Sequence, residues 1–133
     1  MTFLDTNVIL RYLTWDEPKK AKRCEGLFKR ATEGKEILYT TTLVITEIIW
    51  TLEKFYKLPK SEIVTCVQRI LNTPNIHLDE KDILLAAIGL YELKNIDFID
   101  AYNAISMENK NIDSLYSYDT DFDLIPPLKR LEP

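Results

Sequence analysis

Phe3-Leu4-Asp5-Thr6-Asn7 runs an apolar strand start straight into an acid and two small polar residues. Such a stretch puts a carboxylate where a strand ends and a helix begins. In open α/β sheets ligands bind in the crevice outside the carboxyl ends of the strands, so Asp5 is predicted to sit at the fold's default site. Thr6 and Asn7 are expected to cap the following helix through their side-chain oxygens. Read alone, Asp5 serves equally well as part of that cap, and what separates the readings lies further along the chain.

Beyond this start the order of strands and helices predicts an α/β fold with a central, mainly parallel sheet of four to five strands. A short helix is expected over Val8 to Leu13 and a longer one over Glu17 to Thr32, with Pro18 in its first turn and Gly34 closing it. Glu36 to Thr40 reads as the second strand. From Leu43 to Tyr56 the residues Val44, Ile45, Ile48, Ile49, Leu52 and Phe55 make one apolar stripe, with Glu47 just off its edge. Helices over Ser61–Leu71 and Glu80–Leu93 flank a brief edge strand at Ile76–Leu78, and offer a surface for self-association. A helix opening near Asp97, a strand over Ser114–Tyr118 and a last strand over Leu128–Leu131 complete the chain.

Composition bounds the chemistry. With 133 residues, 46% of them apolar, 29% charged and only three Gly, the chain is expected to form one domain over residues 1–133, without linker or repeat. No apolar run approaches the ~18 residues that span a bilayer, and no signal segment opens the chain, so no membrane association and a cytoplasmic location are expected. Cys24 and Cys66 lack metal-ligand spacing and read as buried free thiols. His77 is the only histidine, which argues against a His-based metal site or a Ser-His-Asp triad. Catalysis would have to use carboxylates.

Four carboxylates qualify. Asp5 and Asp119 end strands, while Glu47 and Asp100 lie near the starts of helices, so a parallel sheet would bring all four to one end. Asp97 reads as an N-cap and Asp100 as the third helical residue, which by itself explains an acid there through the helix dipole. The competing reading has Asp100 project into the crevice, with Asn103 one turn along the same side. Four acids without basic partners repel one another unless divalent cations neutralise them, and all-oxygen donors suit Mg²⁺ or Mn²⁺. A net charge of −4 disfavours nucleic acid as a partner. The distribution is uneven, however: residues 15–35 are locally basic, residues 95–125 strongly acidic. The basic run reads either as a solvated helix face or as an RNA groove.

Taken in order, Leu4-Asp5-Thr6-Asn7-Val8-Ile9, Thr46-Glu47-Ile48, Asp97-Phe98-Ile99-Asp100-Ala101-Tyr102 and Tyr118-Asp119-Thr120-Asp121-Phe122 resemble the PIN-domain ribonucleases. Within them, the VapC-type toxins of prokaryotic toxin–antitoxin pairs are the most similar. The resemblance implies a PIN-like three-layer α/β/α fold and a Mg²⁺- or Mn²⁺-dependent endoribonuclease. It implies catalytic and metal-binding roles for Asp5, Glu47, Asp100 and Asp119, with Asp121 a further ligand and Thr6 and Asn7 supporting Asp5. It also implies RNA as substrate, a homodimer and a small antitoxin protein as partner. The last acidic position varies within the family, so Asp119 and Asp121 both stand for it. A haloacid-dehalogenase phosphatase would need an acid where this chain has Asn7. A module that binds metal or RNA without catalysis is the remaining alternative.

Overall fold

The computed structural model describes all residues 1–133 and divides into two compact units, Met1–Lys81 and Asp82–Pro133. In the first, strands β1 (Thr2–Phe3), β2 (Leu38–Tyr39) and β3 (Ile76–His77) pair in parallel in that order, with β3 at the edge as expected. The strands are short, but the ladder runs past them: Leu4 N donates to Tyr39 O at 2.8 Å and Thr40 N to His77 O at 3.0 Å. Thr40 is fully buried, and its hydroxyl donates to Leu4 O at 2.8 Å, which satisfies an otherwise costly polar group.

Four helices surround this ladder: α1 (Thr6–Thr14), α2 (Pro18–Thr32), α3 (Thr42–Lys54) and α4 (Lys60–Leu71). Pro18 opens α2 at the position where a missing N–H costs nothing. Gly34, at φ +75°, takes the left-handed conformation that follows the end of α2. Thr41 caps α3, its hydroxyl oxygen accepting from Val44 N at 3.4 Å. The periodic residues Val44, Ile45, Ile48, Ile49 and Leu52 are buried as their spacing predicts, and so are Ile63, Val64, Val67, Ile70 and Leu71 of α4. Tyr12 and Phe28 stack with ring centroids 4.3 Å apart, fixing α1 on α2. At the turn between those helices the Tyr56 hydroxyl donates to Asp16 at 2.6 Å, with Thr14 and Arg11 also on Asp16. That hydroxyl in particular holds the Asp16 carboxyl below its usual range.

Two expectations fail here. Phe55, placed in the buried stripe of α3, is instead 74% exposed at the C-cap of the helix, although its backbone stays helical and its N–H still bonds to Thr51 O at 2.9 Å; its ring meets Tyr56 edge-on at 5.0 Å. Cys24 and Cys66 are free, as expected, but only half-buried.

In the second unit α5 (Lys81–Leu93) and α6 (Phe98–Asn109) precede β4 (Ser114–Tyr116), a 3-10 turn over Thr120–Leu124, and β5 (Lys129–Leu131), which pairs in parallel with β4. Leu84, Ala87, Ile88 and Tyr91 of α5, Phe98, Ala101 and Ala104 of α6, and Phe122 and Ile125 beyond them are buried. Tyr91 and Phe98 meet edge to face at 6.0 Å. The chain thus has five strands, all parallel-paired, hydrogen-bonded as one ladder of three and one of two. No helix is long and apolar enough to cross a membrane.

Candidate metal centre

Asp97 is the N-cap of α6, in extended backbone and without a side-chain cap bond, so Asp100 falls at the third helical position as read from the sequence. The acid after β4 is fixed differently. Asp119 opens the 3-10 turn, its Oδ1 accepting from Asp121 N at 2.9 Å while its own amide donates to Ser117 Oγ at 3.0 Å. This tight turn directs Asp119 and Asp121 to the same place. Together with Asp100 they bring one carboxylate oxygen each to within 4.8 Å of one another.

Such a cluster is electrostatically unfavourable as it stands. Burial pushes the Asp100 carboxyl up to about 6, and the hydrogen-bonded Asp119 and the charges of Asp97 and Asp121 push the same way. The Arg130 guanidinium, on the neighbouring strand, is committed to Asp123 at 3.1 Å and Glu132 at 2.8 Å. Three oxygen donors of this kind fit a hard divalent cation of the Mg²⁺ or Mn²⁺ type.

Because folding raises the Asp100 pKa above the ordinary carboxylate value of about 3.9, its contribution to stability is complete below that value and is lost as pH rises through about 6. In chelator, lowering pH from 7 to 5 should therefore recover stability, and Asp100→Asn should flatten that gain. Urea unfolding of both proteins across this range measures it. Equal pH slopes for the two would remove Asp100 as the source.

In the first unit Asp5 is the exposed N-cap of α1, but its side chain makes no cap bond. The expectation that Thr6 and Asn7 cap this helix is not met: they are its first two residues. The buried Thr6 hydroxyl donates instead to Glu47 Oε2 at 2.8 Å, across 41 positions of sequence. That bond fixes one oxygen of a carboxylate standing in the second turn of α3, exposed and off the buried stripe. Asn7 lines a cavity of about 300 Å³ with Val8 and Arg11 of α1 and Lys20, Arg23 and Cys24 of α2. Asn103 is exposed on α6, one turn beyond Asp100. Sequence reading passed over Arg11, although its i,i+4 spacing from Asn7 was a signal for a shared face.

A family model described as PIN domain matches residues 2–126. A VapC ribonuclease of Aquifex aeolicus (strain VF5) is 29% identical over 122 residues, which cover 92% of this chain and 90% of that protein. Among solved structures, the Mycobacterium tuberculosis toxin VapC20, described as cleaving the sarcin–ricin loop, is 18% identical with a TM-score of 0.39, covering 100% of both chains. Since the family model takes in nearly the whole chain and runs through both compact units, the protein belongs to the PIN domain family.

Proposed function

We propose that this protein is an endoribonuclease that hydrolyses RNA phosphodiester bonds with the help of Mg²⁺ or Mn²⁺, and that it is the toxin of a toxin–antitoxin pair. The observation that carries the reading is the meeting of Asp100, Asp119 and Asp121 oxygens within 4.8 Å in a PIN-family chain. Similarity to a VapC ribonuclease over most of both chains supports it. A homodimer, a small antitoxin partner and a cytoplasmic setting belong to the same reading, as does one domain over residues 1–133.

Asp100, Asp119 and Asp121 would hold the cation, which when bound polarises the scissile phosphate and lowers the pKa of a water. Burial and the neighbouring acids push the Asp100 carboxyl up to about 6, so protons would compete with the cation there as pH falls. Asp119 spends Oδ1 on the Asp121 amide and keeps its other oxygen for ligation. Glu47, held at Oε2 by Thr6, is oriented without being neutralised. Asp5 is assigned to the same machinery, since the N-cap leaves its carboxylate unused there. Asn7 and Asn103 are assigned supporting roles.

A labelled RNA incubated with purified protein over a Mn²⁺ titration tests this directly. Cleavage should rise with metal and vanish in EDTA. Equal cutting in chelator would overturn the metal-dependent reading, while saturable binding of Mn²⁺ and RNA with no cutting would make the chain a non-catalytic module.

A further inference from the structure

The cavity between α1 and α2 carries a charge pattern that the acidic cluster cannot supply. Of its six lining residues, Arg11, Lys20 and Arg23 are cationic, Asn7 is polar, and none is acidic. Local geometry explains the convergence: Asn7 and Arg11 share one face of α1 at i,i+4, while Lys20 and Arg23 share one face of α2 at i,i+3. Packing of the two helices turns these faces toward one hollow. Glu17, not itself a lining residue, is bonded to Arg11 Nε at 2.6 Å and Lys20 Nζ at 3.2 Å, and Arg11 also reaches Asp16. These pairs hold two of the cations in place and neutralise part of their charge. Arg23 is exposed and enters no ion pair, leaving its planar fork of donors for a bidentate acceptor.

We infer that this cavity is a phosphate-binding subsite for the RNA backbone, with Arg23 and Lys20 as its principal ligands and Arg11 and Asn7 completing it. The inference rests on the ribonuclease reading above. Its volume of about 300 Å³ is at the lower end for small-ligand pockets, enough for a sugar-phosphate unit. A chain of net charge −4 that presents a cluster of acids must find its attraction for a polyanion elsewhere. The cavity also opens beside Asn7, in the first turn of the helix that Asp5 caps, so a bound phosphate would lie on the same helix as a candidate catalytic acid.

Cys24 provides a readout that does not depend on catalysis. It lines the cavity, whereas Cys66 stands on α4; burial pushes both thiols up, so Cys66 is a fair internal control. Wild-type protein in EDTA is alkylated with iodoacetamide, with and without a 2′-O-methyl oligoribonucleotide of about ten residues, and each thiol is followed by mass spectrometry. The expected result is at least about tenfold slower labelling of Cys24 once binding saturates, with Cys66 unchanged. In parallel, Lys20→Ala and Arg23→Ala should raise KM for RNA severalfold, keep kcat, and each reduce the slope of log affinity against log salt by about one. Cleavage by wild type without protection of Cys24, and with unchanged salt slopes in both variants, would overturn the subsite and leave the ribonuclease reading standing. Protection by inorganic phosphate alone would reduce it to a small-anion site and overturn it as an RNA contact. Protection by polyglutamate where the oligonucleotide gives none would reassign the cavity to an acidic protein segment, again overturning it. RNA that protects Cys24 but is never cut would support the subsite and sink the nuclease.

Discussion

Asp100→Asn should cost more than about a hundredfold in RNA cleavage, since even residues that only orient metal ligands are worth 10- to 100-fold, yet leave the metal-free fold no weaker. The two expectations come from one fact. Asp100 is half-buried against Asp119 with Asp97 and Asp121 near it, and its charge is unwelcome enough to push its pKa to about 6. Replacing it with a neutral amide removes a repulsive charge, so in chelator the variant should melt at or above wild type, as functional sites that sacrifice stability do. Mn²⁺ should then raise the wild-type midpoint more than the variant's, because binding energy is linked to folding only where the site is intact. The bland explanation of an acid in a helix's first turn forecasts the reverse: a loss of about 0.3–1 kcal/mol and full activity. Calorimetry with and without Mn²⁺, beside a cleavage assay, separates them.

Phe122→Ala should destabilise the protein by about 3–5 kcal/mol, the cost of emptying an aromatic site in a core. Phe122 is 5% exposed in the middle of the 3-10 turn, between Asp121 and Asp123, and is the only residue of that turn to be buried. It anchors the turn that Asp119 opens and that carries Asp121, so its loss should weaken Mn²⁺ binding even in the fraction that remains folded. Phe122→Leu keeps most of the volume and should cost about 1.5 kcal/mol or less. Urea denaturation gives the stabilities, and Mn²⁺ titration under conditions where each variant is folded gives the site. A Phe122→Ala variant that binds Mn²⁺ like wild type would show that the acids hold their positions without this anchor.

What could be read in the sequence follows from the range of the forces involved. The buried faces of α3 and α4 were legible because burial imposes a period on the residues themselves, and the position of Asp100 was legible because Asp97 marks the helix start and Asp100 follows three positions later. The role of Thr6 was not. A Thr beside a helix start reads as a cap by local rules, but its hydroxyl partner, Glu47, is 41 residues away, and only the folded chain brings them together. Phe55 misled for the opposite reason: its spacing put it on the buried stripe, but at the C-cap of α3 it stays exposed. The choice between Asp119 and Asp121 was open to sequence because two positions apart they are equivalent in composition; the 3-10 turn brings both to Asp100. Lys20 and Arg23 stood within a basic run that could have been mere solvated surface, and it took the packing of α2 on α1 to turn them toward Arg11.

The two bonds that join α1 to α3 act mechanically as the supports of a beam. Thr6, the first residue of α1, is pinned to Glu47, and Asp16, just past its last residue, is pinned to Tyr56, whose amide still bonds to Thr51 O at the end of α3. The stretches between the supports are similar, ten positions from Thr6 to Asp16 and nine from Glu47 to Tyr56, most of each within α1 or α3. A beam held at one end can pivot, whereas one held at both cannot. The distance from Glu47 to Asn7 and Arg11 is therefore tied at both ends of α1, by Thr6 at its start and by Asp16 beyond its end, and a ligand that touches both Glu47 and Arg11 must match that spacing.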